Sequence, residues 1–336
     1  MAERRDDFTT VADGTRVATY TWLPEGDVRA LVQVAHGAAE HALRYDRFAR
    51  RLTAGGYAVV ASDHRGHGGT AAHTGGYGAV GAEGWRTTVA DLKEVGDRVR
   101  AHMPSDAPLF LLGHSMGSQL ARDYAQEYGQ ELSGLVLSGT FRSLPGCETE
   151  AAAQRLEREI AERGRDAPSD FTAVLFSSFN DPFEHRTGFE WLSRDEAEVD
   201  AYAQDERCGF PFGAGLALDW VRGSRKINDP EQFARIPRGL PVHIAVGDQD
   251  PCNQGMTLVY ELLEDFRYLG TRDLSWRAYE GARHEILNET NRDEVEADLV
   301  EWFESHLDRR PSLPRVPRQP VVAHSLANSP GEEGRA

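Results

Sequence analysis

The chain has 336 residues, 40% hydrophobic and 27% charged, enough for one large core with a smaller unit inserted in it. Its 37 basic and 54 acidic side chains leave a formal charge of −17, so no basic stripe is available to meet phosphates and nucleic acid is not an expected partner. The three cysteines, Cys147, Cys208 and Cys252, match neither a disulfide framework nor a zinc cluster.

The opening MAERRDDFTT has no apolar run after its arginines and does not read as a secretory signal. Nor does any stretch reach the roughly 18 apolar residues of a spanning helix. The expectation is a reduced cytoplasmic protein. Val17–Leu23 reads as an early strand, and residues 24–27 (PEGD) as a turn. Ala30–Ala35 (ALVQVA) has the unbroken β-prone character of a central strand. A helix over 45–54 follows, with Tyr45, Phe48, Ala49 and Leu52 at helical spacing, closed by Gly55-Gly56. Residues 57–61 form the next strand. The amphipathic stretch 85–102 sets Val89, Leu92, Val95 and Val99 on one helical face. A strand over 109–112, a helix over 116–128 and a strand over 135–138 continue the βαβ rhythm. That rhythm predicts an α/β fold, a mostly parallel central sheet with helices on both faces.

The rhythm breaks after Thr140. Residues 141–235 carry helical periods, many aromatics and Pro/Gly interruptions, and read as a helical cap inserted over the sheet. The stretch 209–221 mixes bulky apolar residues with Gly213 and Gly215, so a moving lid and a rigid wall are both open for it. Strands return at 242–246 and 274–279, with a helix at 254–269 between them. A closing helix at 292–307 is read as capped by Asn291 with Glu294 as reciprocal partner. The core is thus expected to comprise 1–140 and 236–310. The proline-rich residues 311–336 are expected to be a flexible tail.

The segment 113–117, Gly-His-Ser-Met-Gly, lies where a strand feeds a helix, the setting of a nucleophile elbow. It marks Ser115 as the candidate nucleophile, with Gly113 and Gly117 allowing the tight turn. A serine needs a base and the base an orienting acceptor. Asp250 and His284 each stand just past a predicted strand, where ligands bind in open α/β sheets. His284 is assigned as general base and then acid, and Asp250 as its orienting carboxylate. Asp248 is read as a turn aspartate. The negative oxygen of a tetrahedral intermediate needs N–H donors. Met116, after the nucleophile, offers one, and Ala38, in the loop after the 30–35 strand, offers the other. His36 is read as bracing that loop. Candidate substrate-lining residues are Phe179, Phe212, Leu216, Trp220 and Cys252, with a plain cap core as the equal alternative for the aromatic ones. The Asp-His-Arg-Gly-His-Gly run at 63–68 is read as structural hydrogen bonding, and no metal or cofactor is assigned.

With those segments in hand, the chain resembles the monoacylglycerol lipase and lysophospholipase-like branch of the α/β-hydrolases, also called serine aminopeptidase-like hydrolases. The segments 36–41 (HGAAEH) with Arg44-Tyr45, 63–68, 113–117, and 279–285 (YEGARHE) carry the resemblance, which spans about 8–307. Cap segments 191–195 and 205–210 add to it. It implies the α/β-hydrolase fold, the triad Ser115, Asp250 and His284, the oxyanion positions Ala38 and Met116, and a small-molecule ester as substrate. Monoacylglycerols, lysophospholipids and simple esters are its implied range, and a medium acyl chain is the expectation here. A polyester or phthalate-ester hydrolase, an amidase and an acyltransferase share the triad and stay open, as does transient contact with a lipid surface. A non-catalytic binding protein is disfavoured by the complete triad.

Overall fold

The computed structural model describes residues 3–308. Eight strands form one sheet: β1 (Glu3–Thr10), β2 (Arg16–Leu23), β3 (Ala30–Ala35), β4 (Tyr57–Ser62), β5 (Leu109–His114), β6 (Gly134–Ser138), β7 (Val242–Gly247) and β8 (Leu274–Tyr279). Their order is β1-β2-β4-β3-β5-β6-β7-β8. β1, β2 and β4 pair antiparallel, and every pair from β4 onward is parallel. β3, β4, β5, β6 and β7 are buried at every position, as their unbroken apolar runs require when helices cover both faces.

On one face α1 (Asp46–Ala54) and α10 (Arg292–Ser305) bring Phe48, Leu52, Leu299 and Phe303 onto the sheet. On the other, α2 (Gly84–Arg100), α3 (Met116–Tyr128) and α9 (Thr257–Leu269) contribute Leu92, Val95, Leu120, Tyr124, Leu262 and Phe266. Between β6 and β7 the chain runs through extra helices that form the cap: α4 (Glu150–Arg163), α5 (Phe171–Asn180), α6 (Glu196–Gln204), α7 (Ala214–Ile227) and the short α8 (Pro230–Phe233). α7 is buried over most of its length and packs on α2, α3 and α4. Gly215 lies inside it, beside the Arg165 side chain.

Two expectations need correction. The sequence suggests no element before Val17, yet Glu3–Thr10 forms β1 along the full length of β2. Its strand is an edge, exposed at all positions but Thr9, so no buried alternation marks it. Asn291 does not cap α10 with its side chain. Its backbone (φ −100°, ψ 23°) is not the extended one a capping residue needs. Its amide is spent on side chains, accepting from Arg194 Nη2 at 3.1 Å and donating to Glu294 Oε2 at 3.1 Å. The tail expected at 311–336 lies outside the described residues. Among the described residues no helix is long and apolar enough to cross a membrane.

The order of strands sets the site. The chain leaves β3 towards β4 on one side and returns to β5 on the other, so the order reverses between β3 and β5. The C-terminal ends of these two strands, in register at Ala35 and Gly113, flank the crevice where such sheets bind ligands.

Candidate active site

β5 ends at His114, and α3 begins at Met116, leaving Ser115 alone at the bend. Its backbone, φ 53° and ψ −123°, lies in a region that residues with a β-carbon rarely enter. The bend is held by Ser115 N–H donating to Ser138 O at 3.0 Å and by Ser118 N–H donating to Ser115 O at 2.9 Å. It is also crowded. A β-carbon on Gly113 would meet Gly117 O at 2.4 Å, and one on Gly117 would meet Ala35 O at 2.2 Å. Glycine at both places is therefore a steric requirement of this turn.

Ser115 Oγ lies 2.8 Å from His284 Nε2, and His284 Nδ1 lies 2.8 Å from Asp250 Oδ2. With a carboxylate at Nδ1, that nitrogen carries the proton and Nε2 is free to accept from the serine. Asp250 is fixed in turn by the Cys252 N–H, which donates to Oδ1 at 2.9 Å. All three side chains are buried. Burial, the largest single effect, works against a charge on His284, but the Asp250 carboxylate, with Glu285 and Glu40 adding to it, raises the imidazole above its ordinary value of 6.5. His114, 4.9 Å away between ring centres, goes the other way: burial and the neighbouring His284 push it down to about 3, so it stays neutral.

The loop after β3 passes in front of Ser115. A β-carbon on Gly37 would come within 3.2 Å of Ser115 Cβ. Among the described residues neither the Ala38 N–H nor the Met116 N–H has a backbone acceptor in a turn, loop or cap. His36 braces this loop: its Nδ1 lies 2.8 Å from Gly37 O, and its Nε2 accepts the His64 N–H at 2.9 Å. The 63–68 run is similarly engaged. Asp63 accepts the Ala42 and Gly69 N–H groups at 2.8 and 2.7 Å, and Arg65 pairs with Asp91 and Asp13. Asp248 accepts the Gly281 N–H at 2.8 Å, a turn contact that leaves Asp250 to the histidine.

A cavity of about 380 Å³, counted to its open mouth, borders Ser115, His284 and Ala38. Of the five lining candidates, Phe179, Trp220 and Cys252 border it. Phe212 and Leu216 do not. Phe212 is buried behind the wall, its ring 5.4 Å from His67 and 5.9 Å from Trp220, and Leu216 sits in the packed core with α7. Phe141, Leu144, Phe176 and Trp191 complete the apolar wall. The Trp191 ring stands 5.0 Å from that of His284 and 5.3 Å from that of Phe179. Cap and imidazole loop are tied together here, since Glu285 N–H donates to Leu192 O at 2.8 Å and Arg283 Nη1 to Glu190 O at 2.6 Å.

Sequence reasoning gave no role to a buried charged cluster beside the triad. Arg44 Nη1 donates to Glu40 Oε2 at 2.8 Å, and Nη2 donates to Glu285 Oε2 at 2.6 Å. Glu40 Oε1 accepts Tyr45 Oη at 2.9 Å and the Gly37 N–H at 2.5 Å. Burial raises both carboxyls. For Glu285 the charge and hydrogen bonds of Arg44, together with His114 and Asn288, overcome burial and bring it down to about 2, whereas Glu40 stays raised. The Glu40–Arg44 spacing of four was a visible signal, but Glu285 is 241 residues from its partner.

His41, Asp205 and Cys208 also lie within metal-ligating reach of one another. They do not suit a cation. Asp205 is paired with Arg207 at 2.7 Å and with His41 at 3.0 Å, and burial drives the Cys208 thiol far above its usual range, away from the thiolate. Burial and the Asp250 carboxylate likewise hold the Cys252 thiol up, so it is a poor nucleophile.

The serine aminopeptidase, S33, family matches residues 26–291. A monoacylglycerol lipase of Mycolicibacterium smegmatis is 30% identical over 307 residues, covering 88% of this chain and 95% of that one. The monoglyceride lipase of Rattus norvegicus is 36% identical over 280 residues, covering 83% and 82%. Among solved structures, a thermostable carboxyl esterase from Bacillus coagulans in complex with glycerol superposes with a TM-score of 0.84 at 30% identity, covering 91% of this chain and 99% of that one. A lipase in an open form superposes with a TM-score of 0.82 at 28% identity, covering 91% and 100%.

Proposed function

The chain belongs to the serine aminopeptidase, S33, family, serine hydrolases of the esterase and lipase kind, and from that premise we propose that it cleaves monoacylglycerol-like esters of medium acyl chain through a Ser115 acyl-enzyme. One observation carries this: the unbroken relay from Ser115 Oγ through His284 to Asp250, 2.8 Å at each link, opening on an apolar cavity.

In the first half-reaction Ser115 Oγ attacks the ester carbonyl and passes its proton to His284 Nε2. The imidazolium is stabilised by Asp250 through the Nδ1–H bond. The carbonyl oxygen, now negative, takes hydrogen bonds from the Ala38 and Met116 N–H groups, which reorganise little because the backbone already holds them. Collapse expels the alcohol, which takes its proton from Nε2. Water then enters, gives a proton to Nε2 and attacks the acyl carbon; collapse releases the acid, and Nε2 returns the proton to Ser115 Oγ.

The cap helices within 141–235 supply the acyl wall through Phe176, Phe179, Trp191 and Trp220. Apolar burial there favours a chain by roughly 0.8 kcal/mol per CH₂. The cavity also borders Glu40 and Glu285, two carboxyls served by one arginine. That acidic wall favours a neutral head group such as glycerol over a phosphate.

Hydrolysis of 1-monoacylglycerols of increasing chain length, beside lysophosphatidylcholine and a p-nitrophenyl ester series, tests the proposal. Cleavage of medium-chain monoacylglycerol in preference to the phospholipid is expected, with Ser115→Ala inactive and unlabelled by a fluorophosphonate. Full activity in that variant, or no ester cleaved at any length, overturns it.

A further inference from the structure

The loop that carries Ala38 is fixed at four successive peptide groups, each by a different side chain or segment. Gly37 N–H donates to Glu40 Oε1 at 2.5 Å. Gly37 O, on the same peptide plane as the Ala38 N–H, is met by His36 Nδ1 at 2.8 Å. Ala39 N–H donates to His67 Nε2 at 3.2 Å. His67 can accept there because its Nδ1, 2.9 Å from Arg65 O, carries the proton. Ala39 O accepts from two cap groups, Tyr202 Oη at 2.8 Å and Gly209 N–H at 2.9 Å.

Only the last of these anchors comes from the cap. It acts on the residue under strain: Ala39 has φ 51°, in the left-handed region, which a residue with a β-carbon occupies only where its surroundings hold it. The Tyr202 hydroxyl is fully engaged. It gives its proton to Ala39 O and shares the Gly209 N–H with that oxygen, at 3.1 Å, so it has no proton left for a substrate even though its residue borders the cavity. Its ring is backed by the Arg44 guanidinium, 4.8 Å from the ring centre.

We infer that Tyr202 is a positioning residue through which the seated cap orients the Ala38 N–H, so that the oxyanion hole is complete only with the cap in this position. The inference rests on the reading of Ala38 as an oxyanion donor. Tyr202 touches neither the acyl carbon nor its oxygen in this account. It acts by holding Ala39 O, and thereby the peptide planes on which the Ala38 N–H turns.

The test is Tyr202→Phe, which keeps the ring and removes the hydroxyl. One lost hydrogen bond of ordinary strength sets the scale of the effect, about 3- to 10-fold. On p-nitrophenyl butyrate kcat is expected to fall by that factor with KM within about twofold. The rate of phosphonylation by a fluorophosphonate, whose adduct needs the same N–H donors, falls in parallel. The final labelling stoichiometry counts the folded sites, so a partly misfolded preparation still gives a rate per site. An unchanged kcat per labelled site overturns the inference, as does a raised KM at constant kcat, the mark of a residue that only lines the pocket. If the wild type is not labelled at Ser115, the catalytic reading itself fails. If it labels and Tyr202→Phe matches it, only the positioning role fails.

Discussion

Arg44 and Glu285 face each other through both guanidinium nitrogens and both carboxylate oxygens, at the residue next to His284. The same Arg44 Nη1 reaches Glu40, which holds the Gly37 N–H. One buried cation thus ties the loop bearing Gly37 to the loop bearing His284. Arg44→Met leaves two buried carboxyls without their counter-charge and is expected to cost about 3–5 kcal/mol, seen as a lower denaturation midpoint. Adding Glu285→Leu should recover part of that loss, because one of the two orphaned carboxyls goes with it. No recovery in the double variant would mean that packing, rather than charge, dominates this contact.

The pairing also has a pH signature. Burial alone would raise Glu285, but Arg44 brings it down to about 2, below the ordinary 4.5. A carboxyl lowered by folding adds stability above its unfolded value and loses it as pH falls toward its folded value. The Glu285 contribution is therefore present above pH 4.5 and lost between 4.5 and about 2. Thermal midpoints of wild type and Arg44→Met, taken across that window, should converge as the pH drops.

Activity follows a different group. In the proposed mechanism His284 must be neutral to accept the serine proton, and against the opposing effect of burial Asp250, with Glu285 and Glu40, raises it above 6.5. Catalysis is thus expected to fall on the acid side of a midpoint lying above 6.5 in kcat/KM. Asp250→Asn should lower kcat by about 10⁴-fold, as loss of the orienting carboxylate does in a serine triad, and move that midpoint down. A midpoint below the ordinary histidine value in the wild type would contradict the Asp250 effect.

The division of cap residues between wall and interior gives a further expectation. Phe179 borders the cavity, whereas Leu216 lies in the packed core. Phe179→Ala opens room for added methylenes, so the acyl-length optimum on p-nitrophenyl esters should move to longer chains, at up to roughly fourfold in kcat/KM per CH₂. Leu216→Ala should lower stability by about 2–5 kcal/mol while the optimum stays in place. A shift of the optimum with Leu216→Ala would show that the interior residue reaches the chain after all.

What the sequence made legible follows from where each signal is encoded. ALVQVA and LFLLGH are buried on both faces, so their apolar runs announce central strands. The elbow glycines are forced by contacts within eight residues and the adjoining β3, a constraint local enough to leave a motif. β1 is an exposed edge defined only by hydrogen bonds to β2, and ERRDDFTT carries no trace of them. Tyr202, Trp191 and Glu285 owe their places to contacts across long separations, such as Tyr202 with Ala39, 163 residues apart. The helical periods of the cap name its helices but not which side chains face the serine. Phe212, just before α7, and Phe179, within α5, look alike in sequence, and only the fold places one behind the wall and the other on it.

A tight steric constraint lies at Gly117. Its missing β-carbon leaves room for Ala35 O and His36 O, which such an atom would meet at 2.2 and 2.3 Å. Both are backbone oxygens at the end of β3, so relief requires that α3 withdraw from the sheet or that the loop bearing Ala38 shift. Either movement separates Ser115 from the Ala38 N–H. Gly117→Ala is therefore expected to cost about 1–3 kcal/mol or more in stability and, in the molecules that fold, to reduce kcat far more than KM. Ester kinetics normalised to fluorophosphonate-labelled sites check this. A normal kcat per labelled site would show that β3 and α3 can part without disturbing the chemistry, and that the close approach of this glycine serves packing alone.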